Sequence, residues 1–186
     1  MHEEENSLSV SCIVSDYMSY RLQKDGFSWQ VSPTRNCPNS RVLSTVRKLC
    51  AEFESRYKSQ FIEMCSSCSE NELDSDVYTN VLEQIIEDGL HWGRVIAIFT
   101  YAGAMSVFCM QNNNHSKVDW IKEWTCSFIS SRVENWINEN GGWKGLVEFY
   151  ELGNGTLKQD TEWKGWGYLI GGALGLALGA LIVNKA

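Results

Sequence analysis

Residues 92–110 constrain the fold of this chain more than any other segment of its sequence. The segment reads WGRVIAIFTYAGAMSVFCM and contains a single charged residue, Arg94. A helix that is apolar on all sides is either buried in a protein core or spans a membrane. The period-two alternation of a half-buried strand is absent. We therefore expect a buried central helix, with the other elements packed around it.

The other elements are predicted to be amphipathic helices, because their apolar residues recur at the i, i+3, i+4, i+7 spacing. Glycines are expected to end the first and fourth of them, at Gly26 and Gly89. Only two prolines occur in the chain, so long segments are free of helix breakers. The predicted helices cover residues 8–25, a segment after Ser40, a shorter segment through residues 57–64, a segment capped by Asp74 or Ser75, and residues 118–138.

Composition narrows the class of protein further. The chain has 186 residues, of which 44% are hydrophobic and 21% are charged, which fits one globular domain and excludes a disordered chain. The formal net charge is −7, whereas binding to nucleic acid requires a basic face. Nucleic acid is therefore not expected as a partner.

The sequence offers no arrangement typical of an enzyme or a metal site. Its three histidines have no metal-ligand spacing, and the single CxxC at Cys65 and Cys68 lacks a second pair. Nucleophile-elbow, phosphate-loop and dinucleotide motifs do not occur. We expect no catalytic residues, no metal and no cofactor. The seven cysteines and the acidic start of the chain favour free thiols over a disulfide framework.

Residues 166–183 read WGYLIGGALGLALGALIV and carry no charge. A helix of this length spans about 27 Å, close to the thickness of the hydrocarbon core of a bilayer. Aromatic residues at its start, Trp163, Trp166 and Tyr168, suit a membrane interface. We expect a transmembrane tail anchor here, the alternative being a buried C-terminal helix. The predicted organisation is a helical domain over residues 1–155, a linker over 156–165 and the anchor.

Four stretches of the sequence resemble the four homology regions of the Bcl-2 family of apoptosis regulators. The first region has the signature Asn-Trp-Gly-Arg and is matched by residues 87–103, in which His91 replaces the asparagine. The second region is matched by residues 136–150, the third by residues 46–57 and the fourth by residues 14–29. The four matches follow the order of the family and cover nearly the whole chain.

This resemblance implies a Bcl-2-like all-α bundle of about eight helices around a buried central helix, together with a C-terminal anchor. It also implies a surface groove, formed by the second to fifth helices, that receives the amphipathic third homology region (BH3) of a partner. We do not expect the chain to be an enzyme. The residues expected at this groove are Phe53, Tyr57, Phe61, Val81, Leu82, Ile85, His91, Gly93, Arg94, Tyr101 and Tyr150.

Arg94 is expected to provide the polar contact of the groove. A guanidinium near the start of an apolar helix is costly unless it reaches water or a carboxylate. The resemblance implies that the carboxylate is the aspartate of the incoming BH3 helix. The alternative is an internal ion pair with Glu87 or Asp88. Gly93 would allow the backbone of the ligand to approach closely.

Three further residues are placed at the edges of the groove. Tyr101 and Tyr150 are expected to close its ends, and packing in the core is an equally compatible role for both. His91 is expected at the start of a helix in place of an asparagine cap, where a neutral imidazole can still accept a hydrogen bond.

The third region favours a pro-survival member over a pro-apoptotic Bax/Bak-like effector that oligomerises into pores. Its usual core is Leu-x-x-x-Gly-Asp, and the matching residues here are Val46, Cys50 and Ala51. A helix without the aspartate cannot make the charged contact to the groove arginine of another member. The resemblance thus implies a protein that binds BH3 helices of pro-apoptotic partners, both BH3-only and Bax/Bak-like, and restrains permeabilisation of the mitochondrial outer membrane. That membrane and the endoplasmic reticulum are both compatible with the predicted anchor.

Overall fold

The computed structural model describes residues 8–29, 41–67 and 73–152, and within these ranges every regular element is helical. The all-α prediction is confirmed for this part of the chain. The predicted anchor, the linker and Ser40 lie outside the described residues. In chain order, the α-helices are α1 Val10–Lys24, α2 Arg41–Arg56, α3 Lys58–Ser67, α4 Ser75–Ile86, α5 Trp92–Gln111, α6 Ser116–Phe128, α7 Glu134–Glu139 and α8 Gly142–Leu152.

Helix α5 is the central helix predicted from residues 92–110. It contacts α1, α2, α3, α4 and α6, and its apolar side chains are buried, except for Phe108, which is half-buried. Among the described helices, it alone is long and apolar enough to cross a membrane, yet 94% of its most apolar window is buried inside the protein. Two of its hydroxyl groups are satisfied within the helix, because Thr100 donates to the carbonyl of Ile96 at 2.9 Å and Ser106 donates to that of Ala102 at 2.7 Å. The segment is therefore a core helix.

Helix α1 lies against α5 and begins within two residues of its predicted start. Ser9 caps it by accepting a hydrogen bond from the backbone N–H of Cys12 at 3.2 Å. Gly26 ends it with a positive φ of 81°, as predicted. The two helices approach closely at Gly103, where an added Cβ would lie 2.9 Å from a ring carbon of Tyr17. A side chain at this position would displace the ring of Tyr17.

Ion pairs link α1 to α2 at two positions. Arg47 pairs with Asp16, and its guanidinium lies 5.0 Å from the centroid of the Tyr20 ring. Arg21 pairs with Glu54, with 2.9 Å between Nε and Oε2. Because the side chains of Arg21 and Glu54 are largely buried, breaking that pair would leave a poorly solvated charge. These contacts hold α2 against α1.

The predicted helix over residues 118–138 is interrupted, which corrects the sequence interpretation. A π-helical turn, Ile129–Val133, separates α6 from α7. Ile129, Val133 and Ile137 are all buried and recur every four residues, which is wider than the 3.6-residue turn of an α-helix. The wider i→i+5 turn keeps these three side chains on the side facing the core.

The remaining helix ends largely follow the sequence signals. Asp74 caps α4, with 2.9 Å between its Oδ1 and the backbone nitrogen of Val77, so Asp74 rather than Ser75 is the cap. Gly89 ends the turn after α4 with a φ of 106°. Gly141 lies between α7 and α8 and Gly142 begins α8, and both have a positive φ.

The expectation of free thiols is confirmed for three cysteines and wrong for one. Cys50, Cys109 and Cys126 are free. Cys12, at the start of α1, is disulfide-bonded.

Candidate functional site

The predicted groove residues are distributed over five helices. Most of them are directed into the protein, and their positions follow from the apolar stripes of the amphipathic helices. Phe53 lies on α2, Tyr57 joins α2 to α3, Phe61 lies on α3, Val81, Leu82 and Ile85 lie on α4, His91 precedes α5, Gly93, Arg94 and Tyr101 lie on α5, and Tyr150 lies on α8.

Three predicted aromatic residues are brought together where α2 meets α3. The ring centroids of Phe53 and Tyr57 are 4.8 Å apart, and those of Phe53 and Phe61 are 6.2 Å apart. Phe53 is fully buried, Phe61 nearly so, and Tyr57 remains half-buried. Partial burial raises the pKa of Tyr57, so its hydroxyl stays protonated at neutral pH. This aromatic cluster has the composition expected of a wall that receives apolar side chains.

The α4 residues of the prediction are core residues in this structure. Val81 and Leu82 are fully buried, and Ile85 is 5% exposed. Like Phe53 and Phe61, they are buried in the hydrophobic core and do not line an open trough. Exposure of these side chains to a ligand therefore requires a change in the packing of α2, α3 and α4.

Tyr101 packs in the core, which was the alternative considered for it. Its ring stacks on that of Tyr78, with 4.9 Å between the centroids. The hydroxyl groups of Tyr78 and Thr125 are 2.7 Å apart, which links α4 to α6. Tyr78 was not among the predicted residues, although the spacing of Tyr78, Leu82 and Ile85 at i, i+4 and i+7 could have placed it on the buried side of α4.

Tyr150 lies towards α2 on the half-buried side of α8. The ammonium nitrogen of Lys48 is 5.9 Å from the centroid of its ring, within the range of a cation–π contact. Arg41 and Glu151 form an ion pair between the same two helices. Tyr150 thus belongs to the contact between α2 and α8.

The guanidinium of Arg94 donates hydrogen bonds to groups that lie between α4 and α5. Its Nη1 donates to the carbonyl of Ile85 at 3.0 Å, its Nη2 to the carboxylate of Asp88 at 3.2 Å, and its Nε to Nε2 of His91 at 3.1 Å. We call Arg94, Asp88, His91 and the Ile85 carbonyl the Arg94 cluster. The Arg94 side chain is 9% exposed and that of Asp88 is 72% exposed. The structure thus contains an internal ion pair between Arg94 and Asp88, which was the alternative considered for Arg94.

His91 has a different role in this cluster from the one expected of a cap. Its backbone is extended, with φ −154° and ψ 165°, and it precedes the first turn of α5. Its side chain makes no capping hydrogen bond and accepts from Arg94 instead. Only a nitrogen without a proton can accept, so this contact requires Nε2 of His91 to be unprotonated. The imidazole therefore positions the guanidinium.

Cys50 occupies the position at which the third homology region usually has a small residue. It is fully buried between α2 and α5, with Sγ 3.8 Å from the carbonyl oxygen of Ile96. Burial raises the pKa of the Cys50 thiol to about 12, so the thiol is neutral at physiological pH. The side chain thus acts as a small core residue.

A cavity of about 290 Å³ lies apart from the Arg94 cluster, between the end of α1, the α2–α3 junction and the C-terminal half of α5. It shares only Phe61 with the predicted groove. Its lining combines charged and apolar side chains. It is lined by Arg21, Asp25, Glu54, Lys58, Phe61, Ile62, Ala104, Val107, Phe108 and Gln111. In the described ranges, no cluster of three or more His, Cys, Asp or Glu residues is placed to hold a metal ion.

Comparison with known proteins identifies the family of the chain. A family model described as apoptosis regulator proteins, Bcl-2 family, matches residues 46–143. Bcl-2-like protein 1 of Rattus norvegicus is 27% identical over 200 aligned positions, which cover 81% of this chain and 85% of the relative. Bcl-2-like protein 1 of Homo sapiens is 28% identical over 138 residues, or 74% of this chain and 58% of the relative.

A third relative is the apoptosis regulator Bcl-2 of Canis lupus familiaris, which is 32% identical over 110 residues. This match covers 59% of the chain and 47% of the relative. The match to the human relative likewise spans little more than half of that protein. The family model covers more than half of this chain and includes α3 to α7 entirely, with the Arg94 cluster among the matched residues. The chain therefore belongs to the Bcl-2 family of apoptosis regulator proteins.

Proposed function

We propose that this chain is a pro-survival regulator that binds the BH3 helix of pro-apoptotic partners and so restrains permeabilisation of the mitochondrial outer membrane. The observation that carries the proposal is the Arg94 cluster, which places a guanidinium and a replaceable carboxylate where α4 meets α5. The family acts without catalysis, so its members function through binding. An amphipathic helix with apolar residues and one acidic residue has the matching chemistry.

Binding in this mode requires α3 and α4 to move away from α5. The apolar residues that would receive the ligand are packed in the core, as Phe53 and Leu82 illustrate. Helix α3 has ten residues, of which Ile62 is 59% exposed, and a helix of this length is marginal without tertiary contacts. We therefore expect the movement of α3 to require less free energy than the movement of α4. The ligand must supply the free energy of opening through its greater affinity for the open form.

The contacts of α2 favour a pro-survival protein over a pore-forming effector. An effector must release its own third-region helix to pair with another copy. Here α2 is tied to α1 by the Arg47–Asp16 and Arg21–Glu54 ion pairs. Ala51 also supplies no carboxylate for the arginine of a second copy. These features support retention of α2 within the fold.

The direct test is calorimetric titration of the full chain, in mild detergent, with a panel of BH3 peptides from pro-apoptotic proteins. We expect at least one peptide to bind with a dissociation constant below about 1 µM, equivalent to more than about 8 kcal/mol. A scrambled peptide of equal composition is the control. Absence of binding by every peptide in the panel would refute the groove function.

A liposome assay separates the pro-survival role from the effector role. The full chain is expected to reduce dye release when it is mixed with an activated Bax/Bak-like effector. Dye release by the chain alone, after addition of an activating BH3 peptide, would instead identify an effector. A BH3 peptide present in excess should abolish the protection, because it competes for the same groove.

We also propose that residues 166–183 attach the protein to a membrane, with the helical domain facing the cytosol. The absence of charge over 18 residues supports this attachment. The full chain should remain in the membrane fraction of cells after alkaline carbonate extraction, and a chain ending at residue 162 should not. Complete extraction of the full chain would contradict the proposal, and co-fractionation would distinguish mitochondria from the endoplasmic reticulum.

A further inference from the structure

The Arg94 cluster already contains a carboxylate of this chain in the position where the proposed function needs that of a partner. Nη2 of Arg94 donates to Asp88, while Nη1 and Nε donate to Ile85 and His91. A partner carboxylate that reaches the guanidinium must therefore add to this arrangement or replace one of its members.

Asp88 is the member that can be replaced at least cost. The Ile85 carbonyl belongs to the last turn of α4, and His91 is fixed by its position at the start of α5. The Asp88 side chain, in contrast, is 72% exposed, and Gly89 follows it with a φ of 106° in an open turn. Rotation of this side chain into water disrupts no core packing. Its contact of 3.2 Å with a nearly buried guanidinium still stabilises the free protein.

We propose that Asp88 is an internal competitor for Arg94, which an acidic residue of the partner helix displaces on binding; this inference rests on the function proposed above. Displacement exchanges one carboxylate–guanidinium pair for another. A partner with a neutral residue at this position offers no charge in exchange and leaves the Asp88 pair intact. Asp88 thereby lowers the affinity for an acidic ligand by the stability of the internal pair and leaves the affinity for a neutral ligand unchanged, so it reduces the difference in affinity between the two.

The test compares two variants of the chain, each of which lacks one negative charge, at neighbouring positions. Asp88→Asn removes the carboxylate that contacts Arg94. The matched control Glu87→Gln removes an exposed carboxylate one residue earlier, at the C-terminal cap of α4. Both are made in the full chain. The ligands are a BH3-like peptide with one aspartate at the anchor position and no basic residue nearby, and the same peptide with asparagine there.

We expect Asp88→Asn to bind the aspartate peptide about two- to fivefold more tightly than the unmodified chain, as measured by calorimetry. Affinity for the asparagine peptide should not rise, and Glu87→Gln should match the unmodified chain with both peptides. Thermal unfolding of each variant confirms that the fold is retained.

Three results would overturn the inference. An equal gain for both peptides, or the same gain in Glu87→Gln, would show a general effect of net charge. Weaker binding of the aspartate peptide by Asp88→Asn would show that Asp88 contacts the partner. Unchanged binding would show that Asp88 does not compete. Failure of the unmodified chain to bind the aspartate peptide at about 100 µM would refute the proposed function itself.

Discussion

Substitution of Arg94 by alanine is expected to weaken binding of an aspartate-bearing BH3 peptide at least about tenfold. Truncation of one member of a desolvated, hydrogen-bonded charge pair typically costs about 2–5 kcal/mol. Arg94 meets these conditions because its side chain is 9% exposed and its donors are directed towards one site between α4 and α5. Calorimetric titration of the full chain measures the effect.

The matched control is Arg132→Ala, because Arg132 forms a comparable ion pair with Glu83 on an exposed surface. Its removal should leave peptide affinity unchanged. With a peptide in which alanine replaces the aspartate, the unmodified chain and Arg94→Ala should bind about equally, which completes a double-mutant cycle. If Arg94→Ala retained full affinity for the aspartate peptide, the guanidinium would not be the contact that recognises the partner.

Substitution of Gly145 by alanine is expected to lower the free energy of unfolding by about 3 kcal/mol. An added Cβ would lie 2.0 Å from the carbonyl oxygen of Asn140 and 3.1 Å from a ring carbon of Trp92. The carbonyl belongs to the backbone before α8, so a side-chain rotation cannot relieve the overlap. For a domain of this size, the melting temperature should fall by about 6–12 °C in thermal unfolding followed by circular dichroism.

Lys144→Ala provides the comparison for Gly145→Ala, since Lys144 is the adjacent residue of α8 and is exposed. Its effect should remain within about 0.5 kcal/mol. A melting temperature for Gly145→Ala within about 2 °C of the unmodified chain would mean that α8 can move away from the α7–α8 turn without cost. Such a result would contradict the close packing of α8 on Trp92, which begins the helix that carries Arg94.

Several elements of the fold were predictable because their signals are local. Helix α5 follows from its long apolar run, α1 from its apolar stripe and Gly26, and α4 from its apolar stripe, its cap and Gly89. The π-helical turn Ile129–Val133 was not predictable in this way. A spacing of four residues between buried side chains is compatible with a continuous helix, and the core against which they pack determines the local winding.

That the predicted residues bind a partner helix stays a prediction, and their contacts could be predicted only in part. Phe53, Tyr57 and Phe61 lie close together, which is compatible with the helical spacing that placed them on one apolar stripe. The distribution of exposure was not predictable, because burial of Val81 and Leu82 depends on how α4 lies against other helices. The stacking of Tyr101 on Tyr78 likewise joins residues of two separate helices.

By itself, the sequence determined that this chain forms a bundle of amphipathic helices around α5. It also showed that an arginine lies near the start of that helix. Hydrophobic periodicity, caps and turn residues act within a few positions of the chain, so they can be read without a structure. Only the tertiary structure decided that Arg94 pairs with Asp88, that the predicted groove side chains are packed, and that a separate cavity lies beside α1. Each of these depends on the distance between side chains of different elements, which packing and electrostatics fix once the helices assemble.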